Sequence, residues 1–442
     1  MQTQKQTQNF TFVFAFFFVI INSGGVMRET RNLEFKEKIS DSFLKTVVAF
    51  ANYDGGEVLF GVDDNGKSVG LTNLKYDAIA IENKINDSIS PQISFEIEMD
   101  CKENLIKLKV HPGDEKPYFY KSKSYKRNDS STVEIDSLEL KRLIVEGQHK
   151  SYDSLSSKKE SYSFVYLEKK FKEIVGIKEI NSDILKALEL VDKNNFLTNA
   201  GSLFADNNEN NLIDIVRFGE SQNTILSRLQ LKNISILEAF DISIDKYREY
   251  YQIENIKGSY RERVDLVPEN AFREAIANAL VHRDWMTNSY IQVSMEKDFI
   301  TIVSPGGLPT GISEEEYLNG QISVMRNPII GNIFFRLNII ESFGTGIKRI
   351  KEAYKDSAKN PSFKIFDNSI EVRLPVISEV EALNSDEQMV YKALENKSLA
   401  SSAIADKTGF GKNKVLNVLN DLMGKGYVIK SGKGRGTKYS LK

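Results

Sequence analysis

Apolar positions recur at helical spacing along some stretches of this chain and alternate along others. Between residues 37 and 50, Ile39, Phe43, Val47 and Phe50 fall at intervals that predict a helix, which Asn52 to Gly56 ends. Residues 57–62 (EVLFGV) predict a strand. Asp63-Asp64-Asn65-Gly66 then predicts a hairpin turn, because Asn-Gly accepts positive φ at both central positions. A helix over 74–90 and strands over 93–99 and 105–110 complete an α+β unit. Farther along, the pattern predicts a strand over 212–218 and helices over 234–251 and 270–281, then strands over 290–295 and 299–303. Pro305-Gly306-Gly307-Leu308-Pro309 forces a loop, SFGTG leads into an amphipathic helix across 341–354, and strands fall within 365–374. After a turn at Asn384-Ser385-Asp386, helices over 388–395, 401–407 and 412–425 precede a hairpin with the tip SGKGRG, which by pattern is a winged helix-turn-helix.

A chain of 442 residues exceeds what one core accommodates, so several domains are expected. The divisions fall at 27–150, a Ser- and Lys-rich linker at 151–164, a connecting α/β region at 165–265, a unit at 266–378 and the last segment at 385–442. Residues 1–26 stand apart. Their apolar run, FTFVFAFFFVII, is too short to span a bilayer and has the length of a signal-peptide core. No convincing small-x-small cleavage site follows, and codons for Gly24-Gly25 could spell a ribosome-binding site, so Met27 is the expected true start.

The formal charge of −2 gives no whole-chain signal for nucleic acid, but its distribution does. Beyond Asn384, eleven lysines and arginines against five acids leave a net +6. The one cysteine, Cys101, rules out a disulfide framework and a thiolate zinc site, and His111, His149 and His282 are scattered. A metal here needs oxygen ligands, which suits Mg or Mn held by carboxylates in a reducing cytoplasm.

ETRNLEFK, followed by AFANYDGGEVLFGVDDNGKSVG, resembles the Schlafen-type AlbA-like domain, also called the divergent AAA domain, over about residues 27–147. The resemblance implies a carboxylate triad that binds a divalent metal and cleaves RNA. It falls on Glu29, Glu34 and Asp64, with Asp63 as second choice for the last, and Lys36 placed to touch phosphate. Clustered carboxylates would hold Mg²⁺ against the charge that develops on phosphate oxygens. The bland alternative is a strand edge at Glu34-Phe35-Lys36 and a plain turn at Asp63-Asp64. In PYFYKSKSYKR, Lys121, Lys123, Tyr125, Lys126 and Arg127 interleave cations with rings, as a surface that neutralises phosphates and stacks unpaired bases would.

REAIANALVHRDW, VSPGGLP and RNPIIGNIFFRLNIIESFGTGIKRI resemble the histidine-kinase-like (GHKL) ATPase module, an α/β sandwich that often follows an AlbA-like domain in bacterial regulators. The resemblance implies that Glu274 activates water and Asn278 ligates Mg²⁺. Standing four apart, the two share a helix face. Gly306, Gly307, Gly344 and Gly346 would let backbone amides approach ATP. Ser304-Pro305-Gly306 replaces the usual Asp-x-Gly, so no carboxylate is evident for the adenine amino group. In the last segment, Lys412, Asn413 and Lys414 open the presumed recognition helix, with Lys433 and Arg435 at the wing tip.

The expectation is a multidomain α+β protein: a cytoplasmic, homo-oligomeric bacterial regulator without stable membrane association. It binds nucleic acid and ATP, and transcriptional control through DNA is its leading function. A metal-dependent ribonuclease of Schlafen type, acting in stress or phage defence, is the alternative, and a weak ATPase activity is compatible with either.

Overall fold

The computed structural model describes residues 28–442 except 159–161, 178, 258–259, 310, 320–323, 342–343, 358, 378–382, 396, 433 and 442. The apolar run at 10–21 and the start at Met27 lie outside the described residues. The chain separates into two units, Met1–Lys150 and Ser151–Lys442. Among the described residues, no helix is long and apolar enough to cross a membrane.

The first unit is built on β1 (Leu33–Lys36), α1 (Phe43–Asn52), β2 (Gly56–Phe60), α2 (Leu74–Ser88), β3 (Ile89–Ser90), β4 (Phe95–Asp100) and β5 (Leu105–Val110). It continues with β6 (Phe119–Tyr120), β7 (Tyr125–Asn128), β8 (Ser131–Glu134) and α3 (Ser137–Gly147). Its main sheet has the order β1-β2-β5-β4, with β1 parallel to β2 and the other pairs antiparallel. Phe43, Val47, Val48, Phe50 and Ala51 bury α1 against that sheet. The helix begins at Phe43, later than 37, because the residues before it close as a turn in which Ser40 and Asp41 carbonyls accept from the Phe43 and Leu44 amides. Asp63 does organise a turn, its Oδ1 accepting from the amides of Asn65 (3.0 Å) and Lys67 (2.8 Å). Beyond that turn, however, pairing is limited to a Val62–Ser68 bridge, so β2 takes β1 and β5 as neighbours instead of a hairpin partner.

The second unit opens with short helices α4 (Val165–Lys170), α5 (Ser182–Ala187) and α6 (Asn199–Phe204). Then come β9 (Asn211–Phe218), β10 (Ile225–Lys232), α7 (Ile236–Tyr251), a ribbon of β11 (Gln252–Lys257) and β12 (Tyr260–Asp265), and α8 (Glu269–His282). β13 (Ile291–Met295), β14 (Phe299–Pro305), α9 (Glu314–Asn319), α10 (Pro328–Arg336), α11 (Gly346–Glu352), β15 (Ser362–Phe366) and β16 (Ser369–Pro375) follow. Six strands form one sheet in the order β10-β9-β13-β14-β16-β15. α8 is buried along most of its length, its Phe272 ring stacked on Tyr247 of α7 at 4.8 Å.

The stretch expected as a linker begins as structure. Asp153, fully buried in a helical turn at Tyr152–Ser154, accepts through Oδ2 from the amides of Ile329 (2.8 Å) and Ile330 (3.1 Å). Those amides are first-turn donors of α10 that the helix itself cannot satisfy.

The chain ends with α12 (Ser385–Leu394), α13 (Ser401–Thr408), α14 (Lys412–Gly424) and the antiparallel pair β17 (Val428–Ser431) and β18 (Lys438–Leu441). These elements close on a core that includes Val390, Leu394, Ile404, Val415, Leu419, Leu422 and Tyr439. Buried Glu387 joins α12 to the end of α14 through Lys425, whose Nζ lies 2.8 Å from both carboxylate oxygens.

Candidate functional site

The acids of the first unit do not gather round a shared cation position. Glu34 leaves β1 into a buried space, only 6% exposed, and both its oxygens are taken by cations. Lys36 Nζ donates to Oε1 at 2.5 Å, and Arg127 Nη1 on β7 donates to Oε2 at 2.5 Å. The same guanidinium donates to Thr132 Oγ1 (3.0 Å) and to the Thr30 carbonyl (2.9 Å), and lies 5.8 Å from the Phe50 ring centre. Thr46 of α1 closes the network on Thr132 at 2.9 Å. Glu29 accepts the Phe35 amide at 2.9 Å, Asp63 is occupied by its turn, and Asp64 is exposed. Among the described residues no three His, Cys, Asp or Glu side chains form a group that could hold a metal. Glu29, Glu34 and Asp64 therefore do not fit a divalent cation as they stand, and Lys36 holds a carboxylate rather than an open phosphate site.

The ring-and-cation run also divides differently from the expectation. Tyr118, Tyr120 and Tyr125 are 3–6% exposed and belong to the core beneath α1, so they cannot stack on bases. Arg127 is the buried partner of Glu34, while Lys123 pairs with Glu134 at 2.7 Å. Lys121 and Lys126 remain at the surface or partly so, and Lys121 Nζ lies 5.0 Å from the Tyr120 ring.

In the second unit Glu274, Asn278 and Gly346 come together. Glu274 and Asn278 share a face of α8, with Asn278 Nδ2 donating to Glu274 Oε1 at 3.3 Å. That bond leaves the Asn278 Oδ1, the atom able to ligate a cation, outside it. Gly346, at the start of α11, comes so near that a Cβ there would lie 2.4 Å from Asn278 Nδ2 and 2.6 Å from Glu274 Oε1. Only glycine fits without displacing one of them. Gly344, with a left-handed φ of +64°, turns the chain into that approach. Glu274 is 4% exposed, and burial raises its pKa against the opposing pull of Arg349 and Arg273. A cleft of about 320 Å³ opens beside it, lined by Asn270, Arg273, Glu274, Arg349, Glu352 and Ala353. Sequence reasoning passed over both arginines, although Arg273 precedes Glu274 in REAIANALV and Arg349 lies one turn beyond Gly346 in GIKRI.

Gly306 and Gly307 sit at the other end of α8, closely packed. At Gly306, φ is +108° and a Cβ would meet Arg326 Nη1 at 2.0 Å and Asp284 at 2.9 Å; at Gly307 it would meet the Asp367 carbonyl at 2.3 Å. Ser304, which stands where the Asp-x-Gly box would place its acid, donates to the Ala279 carbonyl at 3.0 Å. Asn327, fully buried, donates to the carbonyls of Val281 and Arg283 at 2.8 Å and finishes the helix. His282 is held neutral, its pKa pushed down to about 4 by burial and the Arg326 guanidinium. Buried Arg283 donates to the Asn211, Leu212, Thr287 and Ser289 carbonyls and lies over Trp285.

Lys412, Asn413 and Lys414 are exposed on the first turn of α14. Lys414 pairs with Asp386 at 2.8 Å and lies 4.1 Å from the Phe410 ring centre. Lys433 and the Arg435 side chain lie outside the described residues.

Two family models match parts of the chain. Residues 29–136 match the family described as Schlafen, AlbA_2. Residues 288–374 match the one described as Putative ATP-dependent DNA helicase recG C-terminal. The second match contains Gly306, Gly307, Gly344 and Gly346 but begins beyond α8, so Glu274 and Asn278 stand outside it. An uncharacterized ATP-binding protein of Ureaplasma parvum serovar 3 is 35% identical over 78 residues, 16% of this chain and 22% of that protein. The chain thus matches less than a quarter of that curated relative's length. A Corynebacterium diphtheriae protein of known crystal structure aligns over 93% of this chain and 92% of its own, at 19% identity and a TM-score of 0.46. The chain is thus similar in one segment to Schlafen AlbA_2 domains and in another to the RecG-like C-terminal family.

Proposed function

We propose that this chain is an ATP-binding regulator that acts on nucleic acid, in the cytoplasm of a bacterium, with transcriptional control through DNA as its function. The observation that carries the reading is the approach of Gly346 to Glu274 and Asn278, which brings a backbone onto an acid–amide pair with no side chain between them. The RecG-like match and the ATP-binding relative support it. Asn278 is the residue to ligate a Mg²⁺ carried by the nucleotide, where the cation would neutralise phosphate charge. Glu274 is the residue to accept a proton from water, if hydrolysis follows.

Calorimetry of the full-length chain with ATP and Mg²⁺ tests this. Asn278→Ala is expected to weaken nucleotide binding roughly tenfold, by loss of one strong polar contact, and Glu274→Ala to slow turnover while binding persists. Absence of binding by the unaltered protein would overturn the reading.

For DNA, the reading rests on the order of α12, α13, α14 and the β17–β18 pair, as in a winged helix, and on the net +6 beyond Asn384. A chain ending at Asn384 should lose most duplex affinity in a gel-shift series. Binding rather than metal-dependent RNA cleavage is the reading favoured for the first unit, because Glu34 is already neutralised by Lys36 and Arg127. Manganese-dependent cleavage of RNA that Glu34→Gln abolished would reverse that preference.

A further inference from the structure

We infer that the cleft beside Glu274 is a phosphate subsite in which Arg273 and Arg349 read the terminal phosphate of a nucleoside triphosphate, with Glu341 holding Arg349 until the ligand arrives. The inference rests on the nucleotide reading above and extends it to residues that neither the motifs nor the family matches assign to a ligand.

Arg273 supplies the first observation. Its Nε is buried and meets no hydrogen-bond partner among the described residues, and the residue lines the cleft of about 320 Å³. An unpaired buried N–H is costly, and a small shift of the guanidinium toward an anion in the cleft would relieve it. The second observation is Arg349. It lies three residues beyond Gly346, so the short helix that brings Gly346 to Asn278 also carries a guanidinium to the Glu274 side of the same face. Arg349 pairs with exposed Glu341, just before the segment that leads into α11.

Charge in the cleft favours an anion. Of its two acids, Glu352 already pairs with Lys355 at 2.7 Å, and Glu274 accepts from the Asn278 amide at 3.3 Å. Toward the N-terminus of α8 the order is Asn278, Glu274, the adjacent Arg273 and, one turn beyond Glu274, Asn270. A nucleotide whose phosphates begin at Asn278 therefore reaches the arginines with its last phosphate. Planar guanidinium donors suit a phosphate's oxygens, and a diphosphate would stop short of them.

Calorimetry on the full-length chain with Mg²⁺ and either ATP or ADP tests the subsite. The unaltered protein should bind ATP roughly tenfold more tightly than ADP, the worth of one charge-assisted contact. Arg273→Ala and Arg349→Ala should reduce ATP affinity to the ADP level while leaving ADP affinity unchanged; Asn278→Ala should weaken both ligands together. Arg349→Lys should lose most of the preference while keeping the charge, and guards against a misfolded alanine variant. Glu341→Gln, at an exposed position, should raise ATP affinity a few-fold without altering that for ADP. An ATP-to-ADP ratio that stays the same in both arginine variants overturns the subsite and leaves the nucleotide reading intact. Failure of the unaltered protein to bind either nucleotide overturns both.

Discussion

Glu34 in the first unit and Glu274 in the second are nearly equal in burial, 6% and 4% exposed, yet their surroundings differ in kind. Glu34 is gripped by two cations in direct contact, Lys36 and Arg127, and ties β1 to β7. Glu274 accepts a hydrogen bond from the Asn278 amide, and its guanidinium neighbours line an open cleft. One carboxylate has its charge spent inside the fold. The other is held in a desolvated place with room beside it, and burial raises its pKa. Burial alone therefore does not distinguish a structural acid from a chemical one; the partner atoms do.

The largest expected effect tests the structural half. Glu34→Ala leaves the Arg127 side chain, 3% exposed, without its carboxylate. Breaking one side of a buried ion pair costs about 3–5 kcal/mol. Hydrogen exchange in the full-length chain should show that loss across β1 and β7, while α8 keeps its protection. Unchanged exchange at β1 would mean that Glu34 is not a clamp, and would reopen a ligand role for it.

Gly346→Ala tests the other half with a smaller cost. The added methyl must push aside Asn278 or Glu274, and overpacking of this kind costs about 1–3 kcal/mol. The expected result is a modest fall in thermal stability together with loss of detectable ATP binding by calorimetry. An alanine variant that binds ATP normally would separate Gly346 from the nucleotide site.

Much of this contrast was beyond what one sequence carries. The helices at Leu74–Ser88 and Glu269–His282 follow closely from apolar spacing, with Leu74, Ala78, Ile81 and Ile85 along one face of the first and Phe272, Ile276, Ala279 and Leu280 along one face of the second. The pair Glu274 and Asn278 was legible through the resemblance to the GHKL module, and four-residue spacing on a recognised helix then fixed their shared face. Arg127 as the partner of Glu34 was not, because ninety-three residues separate them and only the sheet and α1 bring them together. The buried tyrosines had a signal that was read for chemistry instead. In PYFYKSKSYKR, Tyr118 and Tyr120 alternate with Phe119 and Lys121, the pattern of a half-buried strand. β10 was missed although Leu229, Gln230, Leu231 and Lys232 alternate apolar with polar, because that run is only four residues long.

The smallest and most discriminating effect is the response of stability to pH in Glu274→Gln. Burial raises the Glu274 pKa above its ordinary 4.5, so the folded chain holds that proton more tightly than the unfolded one. Its favourable contribution is complete below 4.5 and is lost as pH rises through the raised folded value. Glutamine keeps the size and the contact with Asn278 but cannot ionise. The variant's stability curve should therefore lack the decline above 4.5 that the parent shows, leaving it at least as stable as the parent at neutral pH. Glu34→Gln, measured alongside, should be less stable than the parent at neutral pH, because it deprives Lys36 and Arg127 of their counter-charge. Opposite signs for the same substitution at two equally buried glutamates would establish the contrast. A loss at both sites would show Glu274 to be a second structural acid, and would remove the base from any hydrolysis at this site.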